Sequence, residues 1–269
     1  MTKVDTVFSG SIPSIYDRYL GPLIFEPYAR DLANRLSDLH AERVLETAAG
    51  SGIVTRALLR SLPASASIVA TDLNQPMLDH AAKQVSSSRV SWQKADAQAL
   101  PFPDGAFDAV VCQFGVMFFP DKQKAYREAR RVLKPGGHFF FNVWDSIEHN
   151  EFADLVTSAV AEMFADDPPL FLARTPHGYC DKQAVVAEVK SAGFVNVAAD
   201  TLTRRSVAPS CRDPAIGYCQ GTPLRNEIEA RDANRLVEAT EAAASRIGAR
   251  FGNGPVDGMI QAHVVTASC

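Results

Sequence analysis

The stretch Arg43-Val-Leu-Glu-Thr-Ala-Ala-Gly-Ser-Gly52, running on into Ile53-Val-Thr-Arg-Ala-Leu-Leu-Arg60, decides the fold. Residues 43–47 read as a β-strand, residues 48–52 as a glycine turn, and Val54, Leu58 and Leu59 as one face of a helix. This order puts backbone N–H groups and a helix N-terminus at the carboxyl edge of a parallel sheet, where open α/β sheets bind ligands.

Downstream, short β-rich runs keep alternating with helical stretches, the pattern of a parallel sheet with crossover helices. Ser67–Thr71 is the second strand and ends at Asp72, and Asn74 is placed to cap a helix carrying Met77, Leu78, Ala81 and Val85. Val90–Ala95 alternates as a third strand, and Phe107–Cys112 is nearly all apolar, as in a central strand covered on both faces. Asp121 is the expected cap of the next helix, which Lys134-Pro-Gly-Gly137 ends because proline cannot continue its ladder. His138–Trp144 follows as the fifth strand. Asp181 and Gly193 frame a further helix, and Phe194–Ala198 and Met259–Ala267 bring the strands to seven.

Two segments stand outside this alternation. Residues 1–42 hold Tyr16, Tyr19, Phe25 and Tyr28 and an amphipathic helix expected to begin at Pro27. Residues 201–257 are expected to hold one long helix started by Thr222-Pro223, with Leu224, Ile228, Leu236, Thr240 and Ile247 on one stripe. The expected organisation is therefore an N-terminal helical cap (1–42), a core (43–200 and 258–269) and a late helical insert (201–257) over the acceptor site.

Composition narrows the function classes. Hydrophobic residues at 46% and charged residues at 22% exclude a disordered or low-complexity chain. The 27 basic and 31 acidic residues leave a net charge of −4, which gives no electrostatic footprint for nucleic acid. Cys112, Cys180, Cys211, Cys219 and Cys269 are odd in number and never in CxxC spacing, so reduced thiols are expected and no metal site is read. There is no apolar leader at the N-terminus and no run near the ~18 apolar residues of a membrane span, so a cytoplasmic protein is expected.

The turn is not a dinucleotide fingerprint. Counted from Gly50, the last glycine of G-x-G-x-x-G is Thr55, and Ala48 replaces the first glycine of the shifted alignment. Glu46 just before the turn would repel a pyrophosphate but suits a ligand with a cationic amine or sulfonium. Asp72, at the end of strand two, can accept hydrogen bonds from both hydroxyls of a ribose, or else cap a helix. Asp96 could offer its carboxylate to an exocyclic amine and the Ala97 N–H to a ring nitrogen, which together would read adenine.

Taken in order, Glu46, Gly50-Ser-Gly52, Asp72, Asp96-Ala97, Leu100-Pro-Phe102, Phe107-Asp108 and Leu133-Lys-Pro-Gly-Gly137 resemble the class I S-adenosylmethionine-dependent methyltransferases, in particular the ubiquinone/menaquinone-biosynthesis group. The resemblance covers residues 40–145. It implies an α/β, Rossmann-like seven-stranded sheet of order 3-2-1-4-5-7-6 with the last strand antiparallel and helices on both faces. It also implies S-adenosyl-L-methionine as cofactor, with S-adenosyl-L-homocysteine as product. By this likeness Glu46, Thr47, Ala48, Gly50 and Gly52 hold the methionine moiety, while Asp72, Leu73 and Met77 take the ribose and adenine side. Asp96 and Ala97 hold the adenine, and Gln113 meets the methionyl end and faces the acceptor. Ala48-Ala49 departs from the commoner glycine-containing or polar pair, and Phe114 to Phe119 replaces small polar residues after strand four.

That hydrophobic run suggests an apolar or amphipathic small-molecule acceptor, or equally packing under the cap. Tyr16 and Tyr28 are candidates for a lid over the cofactor, or for cover on a sheet face. Catalytic residues are not fixed by spacing: His149 and Asp145 are the candidates, with Glu148, His177 and Tyr179 behind them, and His138 and His263 read as structural. An NAD-dependent dehydrogenase and a non-catalytic S-adenosylmethionine-binding module are the alternatives. Cap or insert helices could also pair two copies as a homodimer.

Overall fold

The computed structural model describes residue 5 and residues 8–269. In chain order, helix α1 (Ile12–Ile15), a π-helical segment (Tyr16–Phe25) and α2 (Glu26–Ser37) come first, followed by β1 (Arg43–Glu46), α3 (Ile53–Ser61) and β2 (Ser67–Asp72). Next are α4 (Gln75–Gln84), β3 (Val90–Lys94), β4 (Phe107–Gln113), α5 (Lys122–Val132) and β5 (Leu133–Trp144). The remainder is α6 (Glu151–Met163), α7 (Phe171–Arg174), α8 (Lys182–Ser191), β6 (Val195–Ala208), α9 (Arg212–Gln220), α10 (Leu224–Arg231), α11 (Leu236–Phe251) and β7 (Val256–Ser268).

The sheet order is β3-β2-β1-β4-β5-β7-β6, as the resemblance implies. Strands β1 to β5 are parallel, with Val44 opposite Ile68 on one side and Ala109 on the other. Strand β7 runs antiparallel to β5, since Asp145 N bonds Gln261 O while Cys269 N bonds Gly137 O, so the numbering falls along one strand as it rises along the other. The central strands are buried on both faces: Val44, Leu45, Val110, Val111 and Phe141 have no exposed surface.

The chain divides into two compact units. The sheet unit comprises Glu26–Val143, Cys180–Leu202 and Ala262–Cys269, and so takes in α2 from the segment read as a cap. In it Asp121 caps α5 by accepting from Lys124 N at 2.9 Å, and Asp181 caps α8 by accepting from Gln183 N and Ala184 N at 2.9 and 3.0 Å. Asn74 holds the cap position of α4, but its side chain makes no cap bond. Strand β5 starts earlier than expected: Leu133 already pairs with Phe107, and the ladder resumes at Ala109 opposite His138, so Lys134–Gly137 is taken up as an irregularity, with Gly136 at φ +76°.

The second unit comprises Met1–Phe25, Trp144–Tyr179 and Thr203–Gln261. The amphipathic helix expected from Pro27 is α2, with Ala29, Leu32, Ala33 and Leu36 buried; in this second unit a further helix, α1, begins at Ile12 with Pro13 in its first turn. Pro22 then sits inside the π-helical segment. Helix α9 packs against this segment and against α11, which also packs on α6. A Cβ at Gly217 would lie 2.7 Å from Leu20, so glycine sets that approach. The single long helix expected after Thr222-Pro223 is two: Asp232 accepts from Asn234 N through Oδ1 (2.9 Å) and from Arg235 N through its carbonyl (3.1 Å), a turn that separates α10 from α11. Among the described residues no helix is long and apolar enough to cross a membrane.

Candidate active site

The carboxyl ends of β1, β2 and β4 gather two buried carboxyl groups around the glycine turn. Glu46 is 1% exposed and Asp72 7%. The Thr55 hydroxyl, from the first turn of α3, donates to Glu46 Oε2 at 2.5 Å, and Thr71 Oγ1 donates to the Glu46 carbonyl at 2.9 Å. Burial pushes the Glu46 carboxyl up to about 8; the Thr55 bond opposes this and the charge of Asp72 adds to it. Asp72 is also raised by burial, against the backbone N–H groups of Asn74 and Gly50.

The turn owes its shape to three left-handed residues, Ala48 (φ +52°), Gly50 (+55°) and Gly52 (+77°). Ala49 N donates to Thr71 O at 2.9 Å, and Gly50 N to Asp72 Oδ2 at 2.8 Å. Asp72 Oδ1 accepts from Asn74 N at 2.8 Å, so the carboxylate ties the turn to the loop after β2. Asn74 Nδ2 also donates to Oδ1 at 3.4 Å, so of the roughly four lone-pair sites of a carboxylate the one left for a further donor is on Oδ2.

Other expected residues converge on the same edge. A Cβ on Gly50 would lie 3.5 Å from Met77 Cε, and one on Gly115 would lie 2.5 Å from Ala48 Cβ, so α4 and the segment after β4 both close on the turn. Gln113 ends β4 opposite Asn142 of β5, and Ala95 N bonds Asp72 O at 3.1 Å, bringing the Asp96-Ala97 loop beside strand two. Asp96 Oδ1 accepts from Gln98 N at 2.8 Å. Leu73, half exposed, stands next to the buried Asp72.

Tyr28 is not presented to a ligand: it is fully buried, its hydroxyl donates to Leu202 O at 3.0 Å and its ring meets Phe114 edge-on. Tyr16 belongs to the second unit, where it stacks on Phe25 at 4.7 Å. Phe114, Val116 and Met117 are likewise buried, so most of the apolar run is packing and only Phe118 and Phe119 are half-exposed. Cys112 and Cys219 are buried thiols pushed up to about 12 by burial.

In the second unit, Asp145 Oδ2 accepts from Gln261 Nε2 at 2.7 Å, and His149 Nδ1 lies 3.8 Å from the same oxygen. His177 Nδ1 bonds the Asp145 carbonyl at 2.8 Å; a carbonyl only accepts, so this nitrogen carries the proton. Glu148 is exposed and Tyr179 half-buried. His138 stacks on Phe140, and both ring nitrogens of His263 are engaged, with Thr201 Oγ1 and Cys180 O.

The sequence reading missed Thr55, Thr71 and Asn142. Asn142 is fully buried, its Oδ1 accepts from Phe114 N at 3.0 Å and its Nδ2 has no hydrogen-bond partner among the described residues. An amide within a run of phenylalanines was the available signal.

Two buried acids beside a turn of this shape fit a cation: the positive charge of an amine or sulfonium would favour the ionised form of Glu46, which burial, and with it the charge of Asp72, disfavours. A family model described as a methyltransferase domain matches residues 45–141. The ubiquinone/menaquinone biosynthesis C-methyltransferase UbiE of Yersinia enterocolitica is 30% identical over 180 residues, which cover 62% of this chain and 72% of that protein. The YcgJ protein of Bacillus subtilis superposes with a TM-score of 0.57 at 19% identity over 90% of this chain and 98% of that one. A phosphoethanolamine N-methyltransferase 2 of Haemonchus contortus in complex with S-adenosyl-L-methionine superposes with a TM-score of 0.59 at 15% identity over 95% of this chain and 56% of that one. The chain belongs to the class I S-adenosylmethionine-dependent methyltransferases. Within that family it resembles UbiE, and its cofactor is S-adenosyl-L-methionine.

Proposed function

We propose that the protein moves a methyl group from S-adenosyl-L-methionine to a small apolar or amphipathic acceptor by in-line displacement. The observation that carries this reading is the buried Glu46 and Asp72 pair flanking a turn with left-handed residues at 48, 50 and 52. The cofactor supplies an electrophilic methyl whose departure leaves a neutral thioether, so positioning is the main demand on the protein. Glu46, with Thr47, Ala48, Gly50 and Gly52, receives the cationic amine end. Asp72, Leu73 and Met77 receive the ribose and one adenine face, Asp96 and Ala97 the adenine edge, and Gln113 the methionyl end.

Asp145 and His149 are the groups we assign to receive a proton where the acceptor must lose one. The apolar choice is supported by Tyr16, Phe25 and Trp144, which cluster in the second unit. The relative UbiE, a ubiquinone/menaquinone biosynthesis C-methyltransferase, makes substituted quinols the first acceptors to assay. We read the protein as cytoplasmic, acting on a small molecule and not on nucleic acid, with a homodimer open. A nicotinamide dehydrogenase is disfavoured by Ala48 and Thr55, which stand where a dinucleotide fingerprint needs glycine.

The test is calorimetric titration of S-adenosyl-L-homocysteine. Asp72→Ala should weaken binding tenfold or more while circular dichroism stays unchanged. Equal affinity would remove the ribose assignment, and binding of NAD in place of the homocysteine product would remove the reading as a whole.

A further inference from the structure

His177 stands in the second unit on the loop after α7, and that loop is tied down on both sides of it. The His177 backbone N–H donates to Leu172 O at 3.1 Å and Thr175 N to Phe171 O at 2.9 Å. A Cβ on Gly178 would strike the Arg174 carbonyl, so glycine lets the chain fold back this closely on α7. His177 is 6% exposed. Its Nδ1–H is spent on the Asp145 carbonyl at 2.8 Å, which fixes the tautomer and leaves Nε2 as a lone-pair acceptor. Nε2 has no hydrogen-bond partner among the described residues, and unlike Asn142 Nδ2 it is not sealed from solvent. Burial holds the ring down at about 4, against the Asp145 carbonyl and the charges of Glu148 and Asp145, so Nε2 carries no proton at neutral pH. Aromatic rings continue from it: Trp144 lies 5.9 Å away, Phe25 6.1 Å from Trp144, and Tyr16 stacks on Phe25.

We propose that His177 Nε2 is a specificity-determining contact, accepting a hydrogen bond from a neutral N–H or O–H on a planar methyl acceptor. An acceptor nitrogen this deeply set is left unpaired by any ligand that covers it without a donor, so the donor decides which ligand is taken. The neighbouring rings suit a flat ligand, since aromatic pairs gain from edge and offset contacts. The charges of Glu148 and Asp145 reach the imidazole and disfavour an anionic ligand at the same place. With so low an affinity for protons, Nε2 binds the donor without removing its proton, and proton reception stays with Asp145 and His149. That this ligand is the methyl acceptor rests on the methyl-transfer reading; that His177 selects it by its donor does not.

Indole and N-methylindole differ at the one N–H, and both can be titrated calorimetrically into the protein saturated with S-adenosyl-L-homocysteine. The parent should bind indole saturably and prefer it about tenfold. His177→Asn keeps an amide N–H where Nδ1–H meets Asp145 but has no atom at the place of Nε2. It should bind the two indoles alike and keep its affinity for the homocysteine product, whereas His177→Gln, with an amide oxygen near that place, should regain part of the preference. Were His177 only a support for its loop, His177→Asn would keep the parent's preference. Nitrogen NMR of the histidine side chains reads the same contact without a variant: one unprotonated Nε2 should move upfield with indole and stay with N-methylindole. Absence of saturable indole binding, equal affinities in the parent, or a preference that survives in His177→Asn overturns the proposal. Failure of the parent to bind the homocysteine product would remove the methyl-transfer reading instead, and the same comparison of indoles on the free protein would still decide the role of His177.

Discussion

Left-handed backbone at 48, 50 and 52 concentrates strain in one turn, and the three positions answer it differently. Ala48 at φ +52° carries a Cβ where about 1–2 kcal/mol is the usual cost. The resemblance marked this position as a departure from the commoner pair, and the dihedral gives the physical reason a glycine is usual in such turns. At Gly52 space is limiting as well, since a Cβ would meet Trp92 at 3.1 Å and Ala81 at 3.2 Å. Gly52→Ala should therefore lower the unfolding free energy by more than about 2 kcal/mol and weaken binding of the homocysteine product. Gly105→Ala, also left-handed but with nothing within 4 Å, should lose only the backbone part. Equal losses in urea titrations of the two variants would remove the crowding argument. Glu46 and Asp72 were legible because a charge at the end of an apolar strand stands out. Thr55 was not, because a threonine in the first turn of a helix is ordinary until the fold sets it 2.5 Å from Glu46.

Elements with explicit end signals were readable, and those without were not. Asp181 and Gly193 framed α8, and Asp121 marked α5, because a cap is a local bond between residues two or three apart. The π-helical segment has the apolar spacing of any helix, so the sequence offered nothing to separate it from one. The break between α10 and α11 was readable in principle from Asp232, but the apolar stripe continued across it. Strand β6 runs to Ala208, ten residues past its expected end, since its alternating exposure is that of a polar, weakly patterned strand. The Asp181 cap gives a test confined to its element. Asp181→Ala should lower stability by about 1 kcal/mol and leave the affinity for S-adenosyl-L-homocysteine unchanged; a loss of affinity in calorimetry would tie α8 to the cofactor site.

For the whole molecule, the buried groups set how stability depends on pH. Glu46 is raised from 4.5 to about 8 by burial, so the folded state holds its proton over a range where the unfolded state has lost it. Its contribution is fully present below about 4.5 and is lost as pH rises through 8. His177 is lowered by burial from 6.5 to about 4, so its contribution is present above 6.5 and is lost as pH falls through 4. Between 4.5 and 6.5 the two slopes oppose each other. Above 6.5 the Glu46 term stands alone of the two, at a limiting slope of roughly 1.4 kcal/mol per pH unit. Stability without cofactor should accordingly fall from pH 6.5 to 8, and Glu46→Gln, which keeps an oxygen for Thr55, should flatten that fall. A cationic amine beside Glu46 favours its ionised form, so binding of S-adenosyl-L-homocysteine at pH 7 should release a proton. Calorimetry in buffers of different ionisation enthalpy reads that proton directly. A binding enthalpy independent of buffer, with the variant as pH-sensitive as the parent, would place the ligand's charge away from Glu46.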